Sequence, residues 1–259
     1  MPYIYNSKKG TFTNVTPVAG FDNTAVIGLA DNGTLAGSGF DVSASVTRGL
    51  IIDQKGKVTV FDHPDAASFT QARGVNNKGL VTGFRDSATD SFIYGFIYDS
   101  KKGTFTNIVP SFFTLPQGIN SRGDVVGSAT FLDALGYPDP CDPAAPGSSR
   151  LAWLRTSDGT VTYFDVNGWR TSARAITDSG KIAGWASDPR DGTVKGFVVE
   201  LDGSQCQSIL IDDADLLQCP GAAQTFAQGI KNTDEVTGYC DFDGVDSGFI
   251  ARPQKGKRR

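Results

Sequence analysis

Short apolar runs alternating with polar positions, each broken by a glycine-containing turn, run the length of this chain. In the clearest stretch, Gln117-Gly-Ile-Asn120, Asp124-Val-Val-Gly-Ser128, Leu151-Ala-Trp-Leu-Arg155 and Val161-Thr-Tyr-Phe-Asp165 read as four successive strands, a to d. Strands a and b are joined by Ser121-Arg-Gly123, and c and d by Thr156-Ser-Asp-Gly159. Such turns supply the Gly or Asn that tolerates positive φ. The b–c and d–a connections are long and irregular. In an up-down-up-down meander the tight turns therefore share one face and the long connections the other, where binding chemistry is expected.

The pattern recurs. ARGVNNKGLVTGF (72–84), PQGINSRGDVVGS (116–128), ARAITDSGKIAGW (173–185) and AQGIKNTDEVTGY (227–239) align without gaps, and VIGLADNGTLAGS (26–38) is a weaker fifth copy. A repeat of roughly 45–55 residues built from short strands predicts an all-β, single-domain, five-bladed β-propeller with four-stranded antiparallel blades. The propeller is placed at 1–254, with 255–259 a basic, disordered tail. Gly37, Gly83, Gly127, Gly184 and Gly238 recur in strand b, a pattern expected where innermost strands crowd together. The chain opens on c- and d-like segments, Tyr3-Ile-Tyr5 and Thr11-Phe-Thr-Asn14, and ends on a, b and a c-like Gly248-Phe-Ile250. The two ends are thus expected to share the fifth blade and close the ring, with two segments competing for its c position.

Composition narrows the partners. The 259 residues carry a net charge of −4 and only one methionine against 31 glycines. With no basic stripe to release counterions, nucleic acid is not an expected partner. No apolar run is long enough for a membrane span, so no membrane partner is expected either. The expected state is a monomer that takes a small-molecule or glycan ligand. The opening MPYIYNSKKG lacks the apolar core of a signal peptide, which fits a cytoplasmic chain or one whose leader has been removed. Cys141, Cys206, Cys219 and Cys240 allow three pairings: a local Cys206–Cys219 bridge with Cys141–Cys240 is one arrangement, and the reduced state is another.

Two columns precede the inner glycines. Thr24, Thr70, Thr114, Thr171 and Thr225 suit a structural hydroxyl at the entry to an inner strand. Ile27, Arg73, Gln117, Arg174 and Gln228 form the second column, expected at the mouth of a central funnel on the long-loop face. Ile27 shows that an apolar residue suffices there for packing. Guanidinium forks and amides converging on one axis suit an anionic or polyol ligand. Arg85, with Asp86, Asp188 and Asp241 at comparable loop positions, is a candidate second tier, and Trp169 a stacking contact. His63, the one histidine, follows a strand d and is the candidate general base, with Asp86 and Asp241 as alternative catalytic groups. Asp241, Asp243 and Asp246 have the oxygen density of a calcium loop without EF-hand spacing, so no cofactor is expected beyond that calcium possibility.

The segments GFIYDSKKGTFTNI (95–108) and GINSRGDVVG (118–127), with their copies, resemble the HAF repeat of bacterial proteins, over nearly the whole chain. The resemblance implies a β-propeller and a secreted or periplasmic location, but no defined reaction and no catalytic residues. The departures lie mainly in loops, notably a Pro-rich insertion at 131–149. Three functions follow as expectations: a binding protein for a small anionic or sugar-like ligand; a lyase, isomerase or hydrolase in which the arginines stabilise developing negative charge; and a structural or interaction module.

Overall fold

A computed structural model describes residues 2–108, 111–144 and 148–253; the expected basic tail at 255–259 lies outside the described residues. The chain is an all-β, five-bladed propeller, divided into two compact units, 1–108 and 109–259.

The first unit opens with β1 (Tyr3–Asn6) and β2 (Thr11–Asn14), which pair with each other. Its first blade is β3 (Phe21–Leu29), β4 (Leu35–Asp41), β5 (Val46–Ile52) and β6 (Val58–Phe61), and its second is β7 (Thr70–Val75), β8 (Leu80–Arg85), β9 (Tyr94–Asp99) and β10 (Thr104–Ile108). Both are four-stranded antiparallel meanders, as the alternation predicts. The core is aromatic: Phe61 stacks on Tyr98 at 4.5 Å between centroids, and Phe96 is fully buried beside Phe105.

The second unit holds three blades. β11 (Phe113–Ile119), β12 (Val125–Leu132), β13 (Ser148–Arg155) and β14 (Val161–Val166) form the third; β15 (Arg170–Ile176), β16 (Ile182–Ser187) and β17 (Val194–Val199) the fourth. The next strand, β18 (Cys206–Ile209), departs from the expected meander. It leaves the fourth blade and pairs in parallel with β14, making the third sheet five-stranded. Asn167 fixes this course: its side chain accepts the Ile211 N–H at 2.8 Å and donates to the Ile211 carbonyl at 2.9 Å. Ile209 and Ile211 pack against the core formed by Phe164, Val166 and Phe197. The fifth blade is β19 (Gln224–Ile230), β20 (Val236–Phe242) and β21 (Val245–Ala251). β21 takes the c position through its ladder with β20. Tyr3–Tyr5, the competing segment, pairs with β2.

The cysteine pairing follows from these departures. Cys141 bonds Cys206, and Cys219 bonds Cys240, with Cα separations of 5.6 and 6.3 Å. The local Cys206–Cys219 arrangement is thereby excluded, because β18 carries Cys206 to the edge of the third sheet, beside Pro140.

The tight a–b turns form as their composition predicts. In Asn120-Ser-Arg-Gly-Asp124 the Asn120 carboxamide oxygen accepts the N–H groups of Arg122, Gly123 and Asp124 at 2.9–3.1 Å, and Gly123 takes φ 101°.

Candidate functional site

All five inner strands carry a β-bulge at the same place. The ladder skips from Val26 to Gly28, Ala72 to Gly74, Pro116 to Gly118, Ala173 to Ala175 and Ala227 to Gly229. The skipped residues are Ile27, Arg73, Gln117, Arg174 and Gln228, the second sequence column. A bulge takes its extra residue out of the alternation of the pleat and re-aims the side chain. It also explains the glycines. A Cβ on Gly37, Gly83, Gly127, Gly184 or Gly238 would lie 1.9–2.2 Å from the carbonyl oxygen two residues before the bulge. The strand-b glycine column therefore answers the bulge in the partner strand, while Gly28 and Gly118 of the inner strands show the expected crowding, their Cβ positions lying 2.5–2.8 Å from backbone of the next blade.

The bulges sit deeper than the sequence suggested. In β15 the entry threonine is Thr171, and Arg174 lies three residues further on, two short of the tight-turn end at Ile176. At about 3.3 Å per residue the column is sunk roughly 10 Å from the long-loop end. The threonines do mark that end: the hydroxyls of Thr70, Thr171 and Thr225 accept N–H groups of His63, Val166 and Cys219 at 2.9–3.0 Å, pinning the incoming connector. Ile27 is 49% exposed, so this position does not serve core packing.

Arg73 lies over the Phe84 ring at 4.9 Å, reaches Gln71 Oε1 at 3.4 Å, and has a buried Nε with no hydrogen-bond partner. It forms no ion pair among the described residues. Burial pulls its guanidinium below the ordinary value, the mark of a desolvated cation. In the second unit Arg174 Nε donates to Gln228 Oε1 at 2.7 Å, and Gln117 is buried.

Nearer the long-loop end of the second unit is a cluster whose Arg150, Ser172 and Phe226 sequence reading missed. Arg150 on β13 lies over the Trp185 ring at 5.9 Å, Trp185 meets Phe226 edge-on at 5.6 Å, and Phe226 stacks on Tyr239 at 4.7 Å. Ser172 is the ladder partner of Trp185. The signal was faint: Arg150 and Ser172 stand among other polar residues on their strands, each outside the repeated columns.

His63 does not face solvent. Its ring is buried between Phe96 and Phe105, Nε2 donates to Asn107 Oδ1 at 3.2 Å, and Nδ1 accepts the Asp65 N–H at 3.2 Å. That is the setting of a neutral core histidine, not of an accessible general base. Burial, with Arg85 nearby, lowers its pKa from the ordinary 6.5, Asp65 and Asn107 opposing. Because the folded pKa lies below the unfolded one, the contribution of neutral His63 is complete above pH 6.5 and is lost as pH falls. Melting temperature is expected to drop between pH 6.5 and 5, and to drop less in His63→Gln, measured by calorimetry.

Asp86 and Arg85 organise the same loop. Asp86 accepts N–H groups from Ala67, Ser68 and Phe69 and the Ser68 hydroxyl at 2.6–3.1 Å. Burial pushes its pKa up, but these bonds together hold it below the ordinary value. Arg85 donates to the carbonyls of Asp65 and Asp86 and lies over Tyr94 at 4.9 Å.

Trp169 lines an open cleft of about 730 Å³ with Asp188, Arg190, Lys195 and Asp213. Its cations are matched internally: Arg190 Nε bonds Asp188 at 2.9 Å, and Lys195 pairs with Asp213. The Arg190 hydrogen bonds hold Asp188 at a pKa of about 2. Asp241 lies at a two-residue hairpin, Asp243-Gly244, with positive φ at both residues; its carboxylate accepts the Gly244 N–H at 2.6 Å, and its ladder partner is Asp246. Among the described residues no group of three or more His, Cys, Asp or Glu is placed to hold a metal.

No family model matches the chain, and no curated protein matches its sequence; the HAF-repeat likeness rests on the repeat itself. Among solved structures the chain is similar to a candidate gluconolactonase, with 16% identity over 90% of this chain and 80% of that one and a TM-score of 0.44. It is similar to a streptogramin B lyase, with 13% identity over 93% and 86% and a TM-score of 0.41. A catalytically inactive virginiamycin B lyase from Staphylococcus aureus, solved with quinupristin, is 14% identical over 88% and 70%, with a TM-score of 0.38. At these values the likeness carries nothing about the site.

Proposed function

We propose that this protein binds a small anionic or sugar-like ligand through the bulged residues of its inner strands. The observation that carries this reading is the repeated bulge, which takes one residue per blade out of the ladder and in four of five blades presents Arg or Gln. A half-buried guanidinium without a carboxylate partner, as at Arg73, is costly unless an anion completes it. Glutamines add groups that both donate and accept, which suits hydroxyls or a carboxylate.

The test is a titration of the intact chain with citrate, glucuronate and neutral glucose, followed by calorimetry and thermal shift. At least one is expected to bind and to raise the melting temperature. Arg73→Met and Arg174→Met are each expected to weaken that binding tenfold or more while changing stability by no more than about 1–2 kcal/mol, since the apolar stems remain. Global unfolding of either variant makes its bulge structural, and failure of all three probes ends the reading.

A further inference from the structure

The cluster at the long-loop end of the second unit is a separate matter from the bulge column. Three donors there are shielded from solvent and have no partner: Arg150 Nε, the Ser172 hydroxyl and Trp185 Nε1. Ser172 is completely buried, and its ladder pairing with Trp185 puts the two side chains on one face of the fourth sheet. Arg150, reaching across from β13 of the third blade, lies over that indole and spends one terminal nitrogen on Ser128 Oγ at 3.3 Å. Buried polar groups in folded proteins are nearly always satisfied, so three orphaned donors in one place mark a missing acceptor.

Charge points the same way. Arg150 and Arg170 lie within electrostatic reach of each other, and neither forms an ion pair among the described residues. Burial and then the Arg170 charge depress the Arg150 guanidinium from its ordinary value. A desolvated cation beside a second cation is stable only with a counter-anion. The cleft at Trp169 differs, since its cations already have their carboxylates.

We infer that Arg150, Ser172 and Trp185 form a pocket for the carboxylate of an aromatic acid. One half-buried guanidinium neutralises one charge, which favours a carboxylate over a phosphate dianion. The hydroxyl and indole N–H supply the further donors a carboxylate oxygen accepts. The neighbouring rings of Trp185, Phe226 and Tyr239 offer apolar surface to a flat ring carrying that carboxylate. A water-shielded pocket of this kind rejects the neutral analogue, which leaves the cation unpaired.

The test is calorimetric titration of the full chain with benzoate, benzamide and inorganic phosphate. Benzoate is expected to bind, and benzamide and phosphate at least tenfold more weakly. Arg150→Gln is expected to weaken benzoate tenfold or more. Trp185→Phe, which keeps a ring and removes the N–H, and Ser172→Ala are each expected to weaken it about fivefold or more. If Arg150→Gln fails to fold, the other two variants decide. Absence of benzoate binding, equal binding of benzamide, tighter binding of phosphate, or full affinity in Trp185→Phe and Ser172→Ala overturns the inference.

Discussion

Replacing Gly184 by alanine is expected to destabilise the protein by about 3 kcal/mol, near the upper end for an inserted methyl in a packed interior. The added Cβ would lie 2.2 Å from the Ser172 carbonyl oxygen and 2.7 Å from the tip of Phe197. One neighbour is backbone fixed by its bulge and the other a buried ring, so neither retreats cheaply. Gly248→Ala is the matched control, since its Cβ would meet nothing closer than 3.9 Å and its φ is unexceptional. The control is expected to stay within about 0.5 kcal/mol of the native protein. Urea denaturation measures both; equal midpoints for the two variants contradict the link between glycine and bulge.

The second large effect is expected at the third sheet's outer edge. Changing Cys141 and Cys206 together to serine opens a bridge spanning 65 residues, for which the loop-closure relation gives about 4 kcal/mol. The structural signature is specific. β18 is held in parallel on β14 partly by this bridge, and the Tyr163 and Asn167 N–H groups donate to Gln205 and Ile209 carbonyls at 2.8 and 3.0 Å. Hydrogen exchange at those two amides is expected to accelerate in the double variant, and likewise when the native protein is treated with a reductant. Unchanged protection at both amides means the strand is held without the bridge.

How much of this was legible in the sequence depends on the distance over which each feature is encoded. The a–b hairpins were legible because Asn120 and Gly123 encode their turn within five residues. The columns were legible too, but not their meaning: the bulge at Arg174 and the glycine at Gly184 are two halves of one device, and only the ladder between β15 and β16 reveals the skipped residue. The parallel course of β18 was not legible because a short alternating strand fits either sheet edge, and the decision falls to Asn167, far away in sequence. The cysteine pairing followed that strand. His63 reads as a loop residue beside Pro64, yet the rings that bury it belong to β9 and β10. Arg150 and Ser172 escaped because an orphaned donor is a property of a three-dimensional neighbourhood, with no local signature.

Similar strands in tandem invite mispairing while the chain folds, since a b strand slipped along its a strand still finds hydrogen bonds. The paired bulge and glycine oppose such slippage. Only one alignment sets the glycine against the outturned carbonyl; any other drives a side chain into that oxygen at about the 2 Å separations found for a built Cβ. Each hairpin thus carries its own proofreading contact, made between neighbouring strands before distant blades must meet. In a chain built of similar repeats, that contact lets each blade reach its native pairing without depending on sequence differences between blades.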